Sequence, residues 1–136
     1  MSDRRDFLKK SAFITAGALL ATGKKVFASG GAFPSGVIYT KQNPGRWAKK
    51  AAIHVPKVRV EGRKVTIQTM HPMSKKHYIV RHTLVSYGGK VIGAKTFYPT
   101  DKKPVSSYEI EPDQGKRFYA TSFCNLHDFW VTEFTI

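Results

Sequence analysis

The stretch HYIVRHTLVSYGGKVIGAKTFY, residues 77–98, decides the fold class of this chain. Two runs rich in β-branched and aromatic residues, 77–87 and 90–98, flank the pair Gly88-Gly89. Such a pair between two β-type runs is typical of a hairpin, because glycine adopts the positive φ angles that tight turns require. The runs 57–61 and 64–70, which flank Gly62-Arg63, predict a second hairpin in the same way.

The rest of the chain extends this β pattern. Further strands are predicted over 106–110, 116–123 and 129–136, and no segment shows a sustained helical periodicity with caps. About seven short strands predict an all-β fold, an immunoglobulin-like β-sandwich over residues 51–136. Residues 29–50 are rich in Gly, Pro and Lys and contain the turn signal Asn43-Pro44-Gly45, so we expect an extended arm before the sandwich.

Composition limits the class of protein. The 136 residues are 41% hydrophobic and 12% aromatic, enough for one packed core, which excludes a disordered or fibrous chain. The single cysteine, Cys124, excludes an intrachain disulfide, a four-cysteine zinc site and a CxxC redox pair. The formal net charge of +14 would suit a nucleic-acid partner, but the N-terminal segment argues against one.

The N-terminal segment has the parts of an export signal. Arg4 and Arg5 precede an uncharged run, 11–23, whose 13 residues are too few for an ordinary membrane span of about 20. The string RRDFLK resembles the twin-arginine signal, with Asp3 in place of the usual Ser. We therefore predict a signal over residues 1–28, cleaved after Ala28, or a membrane anchor if uncleaved. A periplasmic or otherwise exported protein would not meet nucleic acid; an amphipathic or buried first helix is the alternative.

Five side chains with metal-binding potential are predicted at or near strand ends. They are His54, His71, His77, Cys124 and His127. One histidine at a strand end is usually a surface or hydrogen-bonded residue, and a lone cysteine is usually a small buried hydrophobe. Loop ends at one side of a sandwich can converge, however, so the full set predicts a metal site. His82 falls within a predicted strand and is assigned a structural or surface role.

The donor types restrict the metal. Zinc prefers four ligands, one fewer than this set offers, whereas imidazoles also suit Fe, Cu and Ni. A blue-copper site would need a Met shortly after His127, where Asp128, Phe129 and Trp130 stand, so copper is disfavoured. Four imidazoles in a plane with one axial thiolate would make a square pyramid, whose open position suits a reactive metal.

The motifs that carry these residues resemble the superoxide reductase family, the iron domain of neelaredoxin and desulfoferrodoxin. The motifs are His54-Val55-Pro56, His71-Pro72-Met73, Lys76-His77-Tyr78-Ile79, Thr96-Phe97, and Cys124-Asn125-Leu126-His127 with Trp130. The resemblance covers roughly 50–136 and implies the one-iron type, with an immunoglobulin-like fold. It implies four equatorial imidazoles and the axial Cys124 thiolate on one iron.

The implied reaction is the one-electron reduction of superoxide to hydrogen peroxide. Backbone N–H groups of Asn125 and Leu126 are expected to hydrogen-bond the Cys124 sulfur and tune it. The reducing electron would come from a donor such as a rubredoxin or a periplasmic cytochrome, and the family forms dimers and tetramers. Two other functions stay open: an iron electron-transfer or metal-binding module without fast superoxide reduction, and a cupredoxin-like copper carrier.

The sequence also departs from the family pattern before the first histidine and after the last. Ala52 and Ile53 stand where the family usually has Glu-Lys, and Asp128 stands where it has Gly. Aspartate tolerates left-handed backbone angles better than most residues, so the loop is expected to survive. We predict that Lys76 or Lys75 supplies the missing positive charge, with Lys49 and Lys50 as the other candidates.

Overall fold

Residues 33–136 are described here from a computed structural model of the protein. The predicted signal, 1–28, and the first residues of the predicted arm lie outside the described residues. Within the described part of the chain, no helix combines the length and the apolar character needed to cross a membrane.

Eight strands form the framework of the described residues. They are β1 (Ile38–Tyr39), β2 (Lys57–Glu61), β3 (Lys64–Gln68), β4 (Ile79–Ser86), β5 (Val91–Thr96), β6 (Val105–Glu109), β7 (Arg117–Cys124) and β8 (Asp128–Thr135). The helices are short: a 3₁₀ helix over Gly45–Lys50, an α-helix over Ala51–His54 and a 3₁₀ helix over Pro112–Gln114. Both predicted hairpins form, because β2 pairs antiparallel with β3 and β4 pairs antiparallel with β5.

The strands form two sheets, in the orders β1-β8-β7-β4-β5 and β2-β3-β6. Among the seven strands β2–β8, the first, second and fifth lie in one sheet and the other four in the second. This division is that of an immunoglobulin-like sandwich whose fourth strand pairs with its third. The all-β prediction is therefore confirmed, with one strand, β1, beyond the predicted seven.

Two apolar clusters fill the space between the sheets. The larger contains Val65, Ile67, Leu84, Ile110, Phe118 and Ala120. The alternation of buried and exposed positions along β3 places Val65 and Ile67 on its inner face, as a half-buried strand requires. The smaller cluster joins Ile79, Phe97 and Cys124. Cys124, the last residue of β7, thus packs against the core.

The segment predicted as an extended arm differs from that expectation where the structure describes it. Its β1 pairs parallel with β8, with Tyr39 opposite Trp130. Tyr39 is buried, and its ring lies 5.4 Å from that of Trp130. Residues from Gly45 onward are helical rather than extended. The arm is consequently part of the packed domain, because burial of one large aromatic ring ties it to the last strand.

Candidate metal centre

All five predicted donor side chains meet at one end of the sandwich. His54 ends the short α-helix, His71 follows β3 and His77 precedes β4. Cys124 ends β7, and His127 lies in the turn that leads into β8. Each donor thus stands at the boundary of a regular element, which fixes its backbone. His82, by contrast, is buried within β4, away from this group.

The distances between donor atoms are too short and too numerous for hydrogen bonding alone. Nε2 of His77 lies 2.9 Å from Nε2 of His71, 3.0 Å from Nδ1 of His127 and 3.2 Å from Sγ of Cys124. A neutral imidazole nitrogen carries either one hydrogen or one lone pair, so it cannot form three such bonds together. Two nitrogens bound at right angles to one metal, each at about 2.1 Å, are about 3.0 Å apart. The spacing fits a shared metal ion.

The four imidazole rings form a closed cycle. Neighbouring ring centroids are 4.6 Å apart for His54 and His71, 4.3 Å for His71 and His77, 4.7 Å for His77 and His127, and 4.8 Å for His127 and His54. Neighbouring planes meet at 68–85°. The rings of His54 and His77, opposite in the cycle, are 5.8 Å apart and only 25° from parallel. Four imidazoles in this order suit the equator of one ion.

Hydrogen bonds to backbone carbonyls orient two of the rings. Nδ1 of His54 donates to the carbonyl of Lys50 at 2.7 Å, one helical turn earlier. Nδ1 of His71 donates to the carbonyl of Pro72. These bonds leave the lone pair on Nε2, directed at the centre of the cycle. Nε2 of His54 is buried without a hydrogen-bond partner, and a metal ion would satisfy it.

Burial keeps the rings neutral, the form that binds metal. Burial, with a smaller contribution from neighbouring histidines, lowers the pKa of His54 and of His71 to about 4. Burial also lowers the pKa of His77, with a contribution from the charge of Lys50. For His127 the pKa falls because of burial, then His77, then Lys50. At neutral pH the imidazoles therefore have lone pairs available.

The thiol of Cys124 is almost fully buried, and burial raises its pKa. Backbone N–H groups of Leu126 and His127 donate to the sulfur and oppose that rise. The prediction for Asn125 differs from the structure, because its N–H donates instead to the carbonyl of Tyr78 at 3.2 Å. The chain turns back after Cys124. The N–H groups of Leu126 and His127 therefore reach the sulfur, whereas that of Asn125 points away.

The side chain of Asn125 has a different role that sequence reasoning missed. Its Oδ1 accepts from the N–H of Tyr78 at 3.0 Å, and its Nδ2 donates to the carbonyl of Lys76 at 3.0 Å. The two bonds are made to the residues immediately before and after His77. They tie the loop that carries Cys124 to the segment that carries His77, which fixes the two donors relative to one another.

The comparison with known families agrees with this donor set. A sequence model of the family Desulfoferrodoxin matches residues 46–133, a span that includes all five donors. The chain belongs to the desulfoferrodoxin family. A search of curated protein sequences finds no significant match.

Several solved structures similar to this chain are named superoxide reductases. A variant of the superoxide reductase (neelaredoxin) from Ignicoccus hospitalis shares 26% identity at a TM-score of 0.67, covering 76% of this chain and 98% of that one. The one-iron superoxide reductase from Giardia intestinalis shares 28% identity at 0.56, covering 61% and 97%. A variant of the neelaredoxin from Archaeoglobus fulgidus, in the reduced form, shares 25% identity at 0.53, covering 65% and 91%.

Four lysines, Lys49, Lys50, Lys75 and Lys76, are the candidates from the sequence for a positive charge near the site. Lys75 and Lys76 are exposed, and neither contributes to the lowered pKa of His77 or of His127. Lys50 contributes to both. Lys50 lies one helical turn before His54, so the 3₁₀ helix brings its charge to the site. The sequence signal for Lys50 is its separation of four residues from His54, a separation that a helix makes short in space.

Sequence reasoning also missed Arg46 and Trp47, which it left in the arm. The indole of Trp47 lies edge-on to His127, with ring centroids 4.7 Å apart. Its Nε1 donates to Oδ2 of Asp128 at 2.8 Å, and Arg46 donates to the same oxygen at 2.8 Å. A large aromatic residue within a polar Gly-, Pro- and Lys-rich segment was the available signal for a buried contact.

Proposed function

We propose that this protein is a superoxide reductase that binds one iron ion. The single observation that carries the proposal is the convergence of four imidazoles and one thiolate, inside a desulfoferrodoxin fold. The residues that would hold the iron are His54, His71, His77, His127 and Cys124. Several solved structures similar to this chain are named superoxide reductases, which supports the same activity here.

Bound iron would supply one electron to superoxide, which with two protons becomes hydrogen peroxide. The protein's residues prepare the site for this step. The imidazoles stay neutral and the single thiolate carries one negative charge, so a ferrous site keeps a net positive charge that attracts the anion. The N–H groups of Leu126 and His127 hold negative charge on the sulfur and moderate its donation.

Access to the site is on the side of His77 and His127. Both rings are only partly buried, whereas His54 and His71 are buried. Lys50 acts on the same two half-buried rings. We therefore assign to Lys50, rather than to Lys75 or Lys76, the positive charge that draws the anion toward the open side.

The test is the reaction of the iron-loaded full chain with a pulse of superoxide. We expect one iron per chain, and oxidation of ferrous iron at a rate far above that of free Fe²⁺. One hydrogen peroxide should form per superoxide without release of O₂. Cys124→Ser should bind metal more weakly and lose the fast reaction, because it lacks the thiolate. A rate equal to that of free Fe²⁺ would contradict the enzyme and favour an iron electron-transfer module. Preferential binding of copper would instead indicate a copper carrier.

We also propose that residues 1–28 direct export through the twin-arginine route. The paired Arg4 and Arg5 before a short apolar run support this. Fractionation of cells that express the full chain tests it. Wild type should reach the exported fraction, and Arg4→Lys with Arg5→Lys should remain inside. Equal distribution of both proteins would overturn the proposal.

A further inference from the structure

Asp128 has a backbone conformation that an L-residue seldom adopts. Its φ is 67°, and among residues 33–136 it is the one non-glycine residue with positive φ. Glycine adopts this conformation without a Cβ penalty, whereas aspartate does so at some cost. A carboxylate in this strained conformation indicates a role for its residue only if the contacts of the side chain offset the strain.

The contacts of this carboxylate are specific. Oδ2 accepts hydrogen bonds from Nη2 of Arg46 and from Nε1 of Trp47, each at 2.8 Å. The Arg46 guanidinium also lies over the Trp47 indole, 4.7 Å from its centroid. Both donors belong to the 3₁₀ helix Gly45–Lys50. One carboxylate oxygen of the last metal-binding loop therefore holds a helix that is distant in sequence.

That helix meets the metal centre at two points. The Trp47 indole packs edge-on against His127 at an interplanar angle of 82°. At the other end of the helix, the Lys50 carbonyl accepts from Nδ1 of His54 at 2.7 Å. The backbone of His127 is held separately, since its carbonyl accepts from Nε1 of Trp130 at 2.8 Å. The Trp47 indole therefore packs against the half-buried ring of His127 and restrains it.

We propose that Asp128 is a positioning residue that fixes Trp47, and through it the ring of His127, in the orientation required for metal binding. The contact chain runs from the Asp128 carboxylate to the Trp47 N–H, and from the indole edge to the imidazole. The proposal rests on the proposed function only in taking His127 as a ligand. It adds a role for the residue that replaces the usual glycine.

The experiment uses Co²⁺ alone, which binds imidazole and thiolate ligands and gives a visible ligand-field spectrum. The full chain and its variants are loaded with Co²⁺, and its release to excess chelator is timed. Asp128→Gly and Trp47→Phe should each release Co²⁺ about tenfold faster and shift the spectrum in the same way, since outer contacts of a ligand commonly change metal affinity by 10–100-fold. Asp128→Asn should fall between them and wild type, because its amide oxygen can still accept from Trp47.

The matched control is Glu133→Gln, which removes the other carboxylate of β8 that pairs with an arginine, Arg117. It should leave Co²⁺ release unchanged. The proposal is overturned if Asp128→Gly and Trp47→Phe keep the wild-type release rate and spectrum, or if only one of them changes. Glycine is unstrained at φ 67°, so Asp128→Gly is expected to fold. If Asp128→Gly does not fold, the Co²⁺ release rate of Asp128→Asn relative to wild type tests the proposal instead. Since Co²⁺ does not reduce superoxide, loss of superoxide reduction alone would overturn only the proposed function.

Discussion

At the residue scale, His82 shows that a histidine of this chain can be structural. Its Nε2 lies 2.9 Å from Oγ1 of Thr69 and its Nδ1 lies 2.9 Å from Oγ of Ser106. The ring meets Phe97 edge-on at 4.8 Å. Burial, then the charge of Lys95, lowers the pKa of His82 to about 3. Neutral His82 therefore links β4 to Ser106 of the other sheet and to Thr69 just after β3, and protonation would place an uncompensated charge in the core.

This environment predicts acid lability. The pKa in the folded state lies below the unfolded value of about 6.5, so the unfolded chain binds more protons between the two. Stability is complete above pH 6.5 and falls as the pH drops toward 3. Between pH 7 and pH 4, wild type should lose about 3 kcal/mol more unfolding free energy than His82→Gln, which cannot titrate. Chemical denaturation at both pH values measures the difference. An equal loss of unfolding free energy in wild type and His82→Gln would contradict the prediction.

At the element scale, β5 and β6 approach each other where the two sheets meet. Gly93 of β5 faces Tyr108 of β6, and a Cβ at Gly93 would lie 2.4 Å from Cδ1 of that ring. The β4–β5 pairing also shifts register nearby, between Leu84 and Val85. The ring of Tyr108 occupies the space that any side chain at Gly93 would need.

Gly93→Ala should consequently lower the free energy of unfolding by about 1–3 kcal/mol, the usual cost of overpacking. Gly88→Ala is the matched control, because a Cβ there meets nothing within 4 Å and its φ is not positive. Thermal unfolding of both variants gives the comparison. Equal stability of Gly93→Ala and Gly88→Ala would show that Tyr108 can move aside without cost.

The elements also show what could be predicted from the sequence. The bounds of β2 agree with prediction and the six later strands agree within a few residues, because alternating β-branched residues and glycine turns are local signals. The two-residue β1 carries no periodicity, and its partner lies about 90 residues away. The 45–54 helices were missed because Pro44-Gly45 indicated a turn and the helices are too short for a periodic pattern.

The same distinction between local and distant signals holds at the metal centre. The five donors were predicted from their residue types and motif spacing, and all five converge. The contact of Trp47 was not predicted, and Lys50 was only one of four candidate lysines, because both features depend on how the 3₁₀ helix packs against a loop about 80 residues later. The N–H groups that reach the Cys124 sulfur depend likewise on the direction of one turn.

At the scale of the whole molecule, the charge favours attraction of small anions. Residues 1–28 hold six basic and two acidic side chains of the chain's 23 and 9, so the remainder keeps 17 and 7. This excess positive charge would add to that of the proposed ferrous site. A small anion is attracted over a distance that salt shortens to about 8 Å at physiological ionic strength.

Lys50 should account for a distinct part of this attraction. Lys50→Met should slow the reaction of the iron-loaded protein with superoxide several-fold at low salt, and weaken the dependence of the rate on salt. Lys75→Met and Lys76→Met remove the same charge from positions that do not affect the pKa of His77 or His127, and should have smaller effects. Stopped-flow rates from low to high salt make the comparison. An equal loss in all three variants would mean that only total charge matters.

The pairing of β1 with β8 sets an order of events in time. Residues 38–39 lie against 129–130, and the donors themselves run from His54 to His127. A growing chain cannot complete the metal centre before nearly all of the sandwich has been synthesised, because Cys124 and His127 come at the end of β7 and just before β8. Contacts between such distant residues form late and slowly in folding. Metal uptake would therefore report completion of the whole domain, and a bound ion would stabilise the finished fold without guiding its early stages.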